Sequence, residues 1–291
     1  MFLFKEKSLF CVLLACFVLI LYVSCDKNDT GIVHRLVFNH NGVDRSYILY
    51  KPHNLPLNAP LVFVLHGYSG NSEVTNFSYD MNSVADTNGF AVCYPQGTKD
   101  NSNTSHWNAN LNISTTDDID FLCSLAKSLQ TQHLLDSQRT FSCGMSNGGF
   151  MSYTLACEVP HVFRAVASVT GTMSLYDWNN CDSLNPVPIL HIHGVDDNIV
   201  PIDGTMDTTS GWGGAPKVSD IVNYWAVKNN CTTVDTLFIP QRTTAFYHRN
   251  GINNHEVWFY RLNNWGHAWP LPALGVSYNA SSVIWEFFSK Y

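Results

Sequence analysis

The sequence has few charged side chains and no run of Lys or Arg. Charged residues make up 13% of its 291 residues, and the formal net charge is −7 with a pI near 5.9. Proteins that bind nucleic acid or an anionic membrane surface need clustered positive charge. The composition therefore argues against both partners and favours a neutral or weakly charged ligand.

The chain also lacks an apolar stretch long enough to span a bilayer comfortably. Two lysines precede the apolar stretch at 9–23, which ends in small residues. This pattern predicts an export signal over 1–25 and a short polar tether at 26–31. LYVSC resembles a lipoprotein cleavage site, but Tyr22 stands where Leu is usual, so lipidation of Cys25, simple cleavage and an uncleaved anchor stay open. We expect an outer-surface or periplasmic lipoprotein, or a secreted protein, with a lipid on Cys25 as its attachment to a membrane.

Cysteine usage is compatible with export. Six cysteines follow Cys25, an even number that permits disulfides in an oxidising compartment. Cys93 and Cys143 lie in apolar strand-like runs and are expected to be buried thiols. Cys181 and Cys231 follow Asn-Asn pairs typical of loops and helix ends. No disulfide is required, but if one forms, we predict that it joins these two.

Residues 32–291 contain no linker, repeat or low-complexity segment, so we expect one domain. A hairpin signal, Asn41-Gly42, is followed by nearly continuous apolar runs, as expected for strands buried on both faces of a parallel sheet. Segments of helical periodicity fall between several runs. This alternation predicts an α/β fold, with a mostly parallel central sheet and helices on both faces. The predicted strands are 32–38, 46–52, 61–67, 90–95, 139–144, 164–171, 188–194 and 256–262, and the predicted helices are 117–133, 148–159, 218–230 and 281–291.

Ser146 lies within a frame of glycines in GMSNGG at 144–149. The segment follows an apolar strand and leads into a predicted helix, which is the order of a nucleophile elbow. Glycines suit this turn because neighbouring Cβ atoms would collide with the next strand and helix. The turn would aim the N–H of Asn147 at an oxyanion beside Ser146. The alternative is a glycine-rich turn with an incidental serine.

A serine nucleophile needs a base to take its proton and an acid to orient that base. Asp196 and Asp197 follow the predicted strand at 188–194, and His267 follows the one at 256–262. The order serine, acid, histidine is the one expected after a nucleophile elbow, and strand ends are where open α/β sheets form active sites. Because the two aspartates are adjacent in the sequence, either could be the acid.

Two other polar clusters have structural explanations. His191 and His193 alternate on one strand, at a spacing that could bind a metal, but no acid or Cys stands at matching spacing beside them. We therefore expect them to pack at the strand end. The acids Asp117, Asp118 and Asp120 lie in the first turn of a predicted helix, where the helix dipole stabilises them without a cation.

Four motifs together resemble the polyhydroxybutyrate depolymerase and feruloyl esterase group of α/β-hydrolases over most of residues 45–290. They are LHG at 65–67, GMSNGG at 144–149, HGVDDNIVP at 193–201 and NWGHAWP at 264–270. The resemblance implies that 32–291 is an α/β-hydrolase catalytic domain. It also implies that neither a metal nor an organic cofactor takes part.

Carried over motif by motif, the resemblance implies a catalytic triad of Ser146, Asp197 and His267, with Asp196 as the competing acid. It implies that the backbone N–H of Tyr68 joins that of Asn147 in the oxyanion hole. The group often has Cys where this chain has Tyr68, and commonly Gly where Leu271 stands. These departures leave the shape of the acyl pocket open.

The resemblance also implies an ester-bearing small molecule or polysaccharide as substrate. Acyl esters of plant polysaccharides, feruloyl or acetyl, are the first expectation, and short polyhydroxyalkanoate esters are the alternative. Candidate substrate contacts are His66, Trp107, Trp212 and Trp269, although Trp is also ordinary core material. A serine peptidase and a noncatalytic glycan-binding surface protein are the rivals from other classes. The oligomeric state stays open.

Overall fold

The computed structural model describes residues 31–181, 185–209 and 211–291. The predicted export signal with Cys25, and residues 26–30 of the predicted tether, lie outside the described residues. Within the described ranges, ten strands form one sheet and two short strands form another. No helix in these ranges is long and apolar enough to cross a membrane.

Strands and helices alternate along most of the chain. The strands are β1 (Ile32–His40), β2 (Val43–Lys51), β3 (Leu61–Leu65), β4 (Ala91–Pro95), β5 (Thr98–Lys99), β6 (Ser105–His106), β7 (Thr140–Met145), β8 (Ala165–Val169), β9 (Ile189–Gly194), β10 (Thr233–Ile239), β11 (Thr243–Arg249) and β12 (Val257–Leu262). The helices are α1 (Ser72–Ser78), α2 (Met81–Asn88), α3 (Asp118–His133), α4 (Asn147–Glu158), α5 (Leu175–Asn180), α6 (Val218–Lys228) and α7 (Ala280–Phe288). Short 3₁₀ turns lie at Ile252–Asn254 and Pro272–Leu274.

The large sheet has the order β1-β2-β4-β3-β7-β8-β9-β12-β11-β10. Its six central strands, from β4 to β12 in that order, pair in parallel. The outer strands pair antiparallel on both sides. The carboxyl ends of all six central strands therefore meet at one edge of the sheet, which is where open α/β sheets hold their ligands.

Helices cover both faces of this sheet and enclose two apolar cores. Side chains of α3, α4 and α6 pack in one core, and side chains of α2 and α7 pack in the other. Every residue of β3, β4, β8 and β9 is buried. Continuous apolar runs form these strands because both of their faces are covered. The predicted α/β architecture is confirmed.

Each predicted strand and helix is present, and the hairpin between β1 and β2 turns at Asn41 and Gly42, with φ of 52° and 82°. The sequence analysis missed α1, α2, α5, β5, β6, β10 and β11. The helices among these are short, and α1 and α2 are rich in polar residues. All but the last side chain of β10 are exposed, so its sequence carries no buried face to detect.

The predicted disulfide between Cys181 and Cys231 is wrong. Cys181 is bonded to Cys157, with 5.2 Å between the two Cα atoms, while Cys231 is a free, half-buried thiol. The bond forms there because Cys157 lies in the last turn of α4 and Cys181 follows α5, and these two helix ends are adjacent. The polar residues next to Cys231 in the sequence do not indicate which cysteine lies near it in space. Cys93 and Cys143 are buried free thiols, as predicted.

Candidate active site

Ser146 occupies a sharp turn between β7 and α4, with backbone angles φ 54° and ψ −120°. An L-residue rarely adopts this conformation, so close packing must hold it in place. A Cβ on Gly144 would lie 2.5 Å from the carbonyl carbon of Gly148, and one on Gly148 would lie 2.3 Å from the oxygen of Leu65. A Cβ on Gly149 would lie 2.3 Å from a side-chain oxygen of β8. The glycine frame is therefore required by packing around Ser146.

Asp197 and His267 are joined by a hydrogen bond, with 2.8 Å between Asp197 Oδ2 and His267 Nδ1. The other oxygen, Oδ1, accepts from the backbone N–H groups of Ile199 and Val200 at 3.0 and 2.9 Å. The Asp197 side chain is buried, whereas Asp196 is exposed. Of the two candidate acids, Asp197 is the one in contact with the imidazole.

The environment of Asp197 keeps its carboxyl group charged at neutral pH. Burial by itself raises the pKa of this carboxyl, but the hydrogen bonds from His267 and from the Val200 N–H outweigh burial and hold the pKa below its usual range. A carboxylate can only accept, so Nδ1 of His267 carries the proton. The Nε2 atom of a neutral His267 is then an acceptor.

The turn that carries His267 is held against the carboxyl end of β9. The backbone N–H of Asp196 donates to the carbonyl of Trp265 at 3.0 Å, and the Trp265 indole donates to the carbonyl of Ala268 at 3.1 Å. A Cβ on Gly194 would lie 2.1 Å from the Trp265 oxygen. This close approach brings the loops after β9 and β12 together, and it needs glycine at 194.

Ser146 and His267 line the same cavity, which has a volume of about 520 Å³. Its wall includes Ile199 and Met206, which belong to the long segment between Asp197 and α6. Trp212, which the sequence analysis named as a candidate substrate contact, also lines the cavity. The sequence analysis did not single out Ile199 or Met206, although a long stretch without a predicted strand or helix, here between 194 and 218, is a signal of function.

Aromatic rings form one side of this cavity. The ring centroid of Trp212 lies 5.2 Å from that of Tyr68 and 5.9 Å from that of Phe150, both in edge-to-face geometry. The Tyr68 hydroxyl donates to Asp100 at 2.6 Å, which fixes its ring. Edge-to-face packing holds Trp212 beside the cavity as part of an aromatic wall.

Tyr68 follows β3, and the loop before it lies against Ser146. A Cβ on Gly67 would lie 3.5 Å from the Cβ of Ser146. His66 Nδ1 donates to the carbonyl of Gly67 at 2.7 Å, and its Nε2 accepts from the Gly97 N–H at 2.9 Å. Burial lowers the pKa of His66 to about 4, so the ring is neutral and these roles are fixed. The Gly67 carbonyl belongs to the same peptide as the Tyr68 N–H, whose orientation is thus set.

Three of the four predicted substrate contacts are corrected by their burial. His66 is 1% exposed, Trp107 is 0% exposed and Trp269 is 4% exposed, and none lines the cavity with Ser146. The Trp269 ring stacks on Tyr79 at 4.1 Å. Their positions beside the motifs are as expected, but their rings face the protein interior because the neighbouring loops fold over them.

Trp107 instead joins two parts of the site. Its indole donates to the carbonyl of His66 at 3.0 Å. The Asn147 side chain accepts from the Trp107 backbone N–H at 2.6 Å and donates to its carbonyl at 2.9 Å. The Asn147 backbone N–H is at the start of α4 and has no acceptor within the helix. Trp107 therefore fixes the first residue of α4 relative to the loop of His66.

The other polar clusters are engaged within the protein. All four ring nitrogens of His191 and His193 take part in hydrogen bonds, as expected for packing. Asp117 caps α3 by accepting from the backbone N–H of Asp120 at 2.9 Å. Asp118 is buried in an ion pair with Arg45 at 2.7 Å. Among the residues that the structure describes, no cluster of three or more His, Cys, Asp or Glu side chains could hold a metal ion.

The fold and the site together define the structural class. A solved acetyl xylan esterase from Aspergillus awamori superposes with a TM-score of 0.67 at 15% identity, covering 90% of this chain and all of that one. An S-formylglutathione hydrolase from Agrobacterium tumefaciens superposes with a TM-score of 0.58 at 12% identity, covering 92% and 96% of the two chains. At such identities the likeness establishes the fold alone, which is that of the α/β-hydrolases.

Sequence comparison identifies the family. The family model described as Esterase PHB depolymerase matches residues 45–252, and the chain belongs to this family. Feruloyl esterase C of Emericella nidulans is 30% identical over 263 residues, which cover 85% of this chain and 86% of that protein. A bifunctional acetylxylan esterase/xylanase of Neocallimastix patriciarum is 27% identical over 159 residues, which cover 55% of this chain and 22% of that protein. The chain thus spans less than a quarter of the length of one of its curated relatives.

Proposed function

We propose that the protein is an exported serine carboxylic-ester hydrolase that acts on acyl esters of plant polysaccharides. One observation carries the proposal: the 2.8 Å hydrogen bond from His267 to the buried Asp197, beside the cavity that Ser146 and His267 share. An oriented imidazole next to a serine at a nucleophile elbow is the arrangement that acyl transfer requires.

In the first half of the reaction, Ser146 Oγ attacks the ester carbonyl carbon while His267 Nε2 takes the hydroxyl proton. The carbonyl π electrons move to the oxygen, and the backbone N–H groups of Tyr68 and Asn147 stabilise the resulting oxyanion. Asp197 stabilises the imidazolium. When the tetrahedral intermediate collapses, His267 gives its proton to the leaving alcohol, and an acyl enzyme remains on Ser146.

In the second half, water repeats the attack. His267 takes a proton from the water molecule, whose oxygen attacks the acyl carbon, and a second tetrahedral intermediate forms at the same N–H groups. Collapse returns the proton to Ser146 Oγ and releases the carboxylic acid. No metal or organic cofactor takes part in this cycle.

The cavity supports an aromatic acyl group as the preferred one. A volume of about 520 Å³ is large for an acetyl group, and Tyr68, Met206 and Trp212 give the cavity aromatic and apolar walls. Polar side chains such as Asn198 and Asp207 also line the cavity, and its aromatic wall suits a flat acyl ring. The relative named feruloyl esterase C supports the same choice.

Short polyhydroxyalkanoate esters are the second candidate, which the description of the family model favours. A panel of methyl ferulate, acetylated xylan and hydroxybutyrate oligomers separates the candidates. All assays contain EDTA. We expect the highest kcat/KM for methyl ferulate, and we expect Ser146→Ala to hydrolyse none of the three substrates. Faster hydrolysis of the oligomers would reassign the substrate. A protein that cleaves none of the three, but binds glycans or cleaves peptides, would overturn the proposal.

Export rests on the sequence pattern of residues 1–25, with lipidation of Cys25 as the first choice. The mass of the protein isolated from the membrane fraction, the culture medium and the cytoplasm of its native cell tests this. A chain that starts at Cys25 with a diacylglycerol mass supports lipidation, cleavage without lipid supports secretion, and a full-length cytoplasmic chain contradicts export.

A further inference from the structure

A buried chain of side-chain hydrogen bonds connects α4 to the loop of Asp197. The hydroxyl of Tyr153 lies 2.7 Å from His191 Nδ1, and His191 Nε2 lies 3.0 Å from His193 Nδ1. His193 Nε2 lies 2.8 Å from the carbonyl oxygen of Val200. Tyr153, His191 and His193 are each 0% exposed.

The carbonyl at one end fixes every proton in this chain. Val200 O can only accept, so His193 Nε2 carries a hydrogen and its Nδ1 is an acceptor. His191 Nε2 must then donate to that acceptor, and Tyr153 must donate to His191 Nδ1. Burial lowers the pKa of both histidines, so both rings stay neutral at neutral pH and keep these tautomers.

The residue at the end of the chain also holds the carboxylate. The Val200 N–H donates to Asp197 Oδ1 at 2.9 Å, and Asp197 Oδ2 bonds His267. His193 Nε2 itself lies 3.5 Å from Asp197 Oδ2, so the imidazole is also close to the carboxylate. Tyr153 lies in the second turn of α4, the helix that begins directly after Ser146.

We propose that His193 is a positioning residue for the Asp197 carboxylate, held in one tautomer by His191 and Tyr153. The chain sets the loop of the acid relative to the helix that follows the nucleophile, so that His267 is presented to Ser146 at a fixed distance. This inference rests on the proposed function, because it concerns how the same Ser, His and Asp are aligned. Neither His191 nor His193 touches the substrate.

Loss of a positioning residue lowers the reaction rate, whereas loss of a residue that only packs lowers the stability of the fold. A buried hydrogen-bonded network stabilises only one arrangement of its members, and misplacing a reacting group by about 1 Å costs up to about a hundredfold in rate. A histidine that only fills space would affect the melting temperature and leave the rate below that temperature unchanged.

The decisive comparison uses His193→Leu, His193→Gln and a control, His255→Leu. Leucine removes the donor to Val200, whereas the Gln side chain can place an N–H near the position of Nε2. His255 is also a buried histidine, 2% exposed and bonded to Asn229 at 2.9 Å, but it precedes β12 at the opposite edge of the sheet. Its loss should therefore destabilise the fold without moving the site.

Each variant is assayed well below its melting temperature, with a fluorophosphonate and with an ester substrate. We expect His193→Leu to slow phosphonylation of Ser146 and to lower kcat by between about tenfold and about a hundredfold, with KM little changed. His193→Gln should recover most of the rate, and His255→Leu should react like wild type. Wild-type rates in His193→Leu, or equal losses in all three variants, would overturn the proposal.

A second measurement covers other outcomes. If His193→Leu does not fold, Tyr153→Phe removes a single hydroxyl and should give a smaller loss of kcat in the same direction. Wild-type kcat in Tyr153→Phe would overturn the proposal.

If wild type neither reacts with the probe nor cleaves esters, the proposed function fails, and proton NMR tests the role of His193 independently of activity. The proton between His267 Nδ1 and Asp197 should resonate far downfield, unchanged in His255→Leu and shifted or lost in His193→Leu or Tyr153→Phe. If this proton resonance does not shift in folded His193→Leu or in folded Tyr153→Phe, the inference is contradicted.

Discussion

His267 Nδ1 lies 2.8 Å from Asp197 Oδ2, while the neighbouring carboxylate of Asp196 is exposed to solvent. Two adjacent acids at one strand end thus have different environments. Asp197 is buried and accepts hydrogen bonds at both oxygens, and Asp196 contributes its backbone N–H to the turn of His267. The difference has a direct kinetic consequence.

Asp197→Asn should lower kcat by about 10⁴, because an amide at this position favours the wrong tautomer of His267. Asp196→Asn should leave kcat within about twofold of wild type, since its side chain is exposed. Steady-state kinetics on one ester, with circular dichroism to verify folding, measure both. A larger loss of kcat in Asp196→Asn than in Asp197→Asn would mean that Asp197 is not the acid of the site.

The aromatic side of the cavity, formed by Trp212 and Tyr68, gives a second prediction. Trp212→Ala should lower kcat/KM for methyl ferulate by about fivefold to about tenfold, because an aromatic contact of the ring with the acyl group contributes roughly 1 to roughly 1.4 kcal/mol. The kcat/KM for a small acetyl ester should change much less. Competition between the two esters in one reaction measures the ratio directly. An equal loss for both would show that Trp212 supports the cavity without contacting the acyl group.

Buried histidines make the fold sensitive to acid. Burial lowers the pKa of His66 and of His255 to about 4, against about 6.5 in an unfolded chain. Between about pH 6.5 and pH 4 the unfolded chain binds protons that the folded chain does not, so stability falls as the pH falls. The slope is about 1.4 kcal/mol per pH unit for each such histidine.

Urea denaturation at several pH values measures this slope. His255→Leu should reduce the slope of the unfolding free energy against pH by the contribution of one histidine. The variant should also be less stable at neutral pH. A free energy of unfolding that stays constant from pH 7 to pH 4.5 would contradict the burial of these rings as neutral groups.

The disulfide between Cys157 and Cys181 gives a stability prediction. It closes a loop with a sequence separation of 24. Loss of the bond in Cys157→Ser should lower the free energy of unfolding by about 3 kcal/mol, because the unfolded chain gains loop entropy. Cys231→Ser is the matched control and should cost far less, since that thiol is free. A fall in stability only in Cys231→Ser would restore the pairing that the sequence favoured.

The central strands and the positions of Ser146 and His267 could be predicted because their signals are local. A strand buried on both faces, such as β3, is a continuous apolar run, and a nucleophile elbow needs glycines at 144, 148 and 149 for steric reasons that the packing bears out. Strand β10 had no such signal. All but its last side chain are exposed, so β10 has neither the buried face nor the long apolar run that marks the central strands.

Contacts between distant segments could not be predicted in the same way. Trp107 and His66 were expected beside the substrate because they are polar or aromatic groups near motifs, but the folding of neighbouring loops buries them. Whether Cys181 meets Cys157 or Cys231 depends on where α4 and α5 end in space. The hydrogen-bond chain from Tyr153 to Val200 likewise joins three elements whose spacing in the sequence is uninformative.

Covalent labelling of Ser146 tests the central claim most directly. Wild-type protein is incubated with a fluorophosphonate in the presence of EDTA, and its mass and modified peptide are measured beside ester hydrolysis. We expect a single adduct, located on Ser146, with complete loss of hydrolysis. We expect neither adduct nor hydrolysis for Ser146→Ala, whose melting temperature should be nearly that of wild type. Hydrolysis by Ser146→Ala above about one per cent of the wild-type rate would contradict the assignment of Ser146 as the nucleophile.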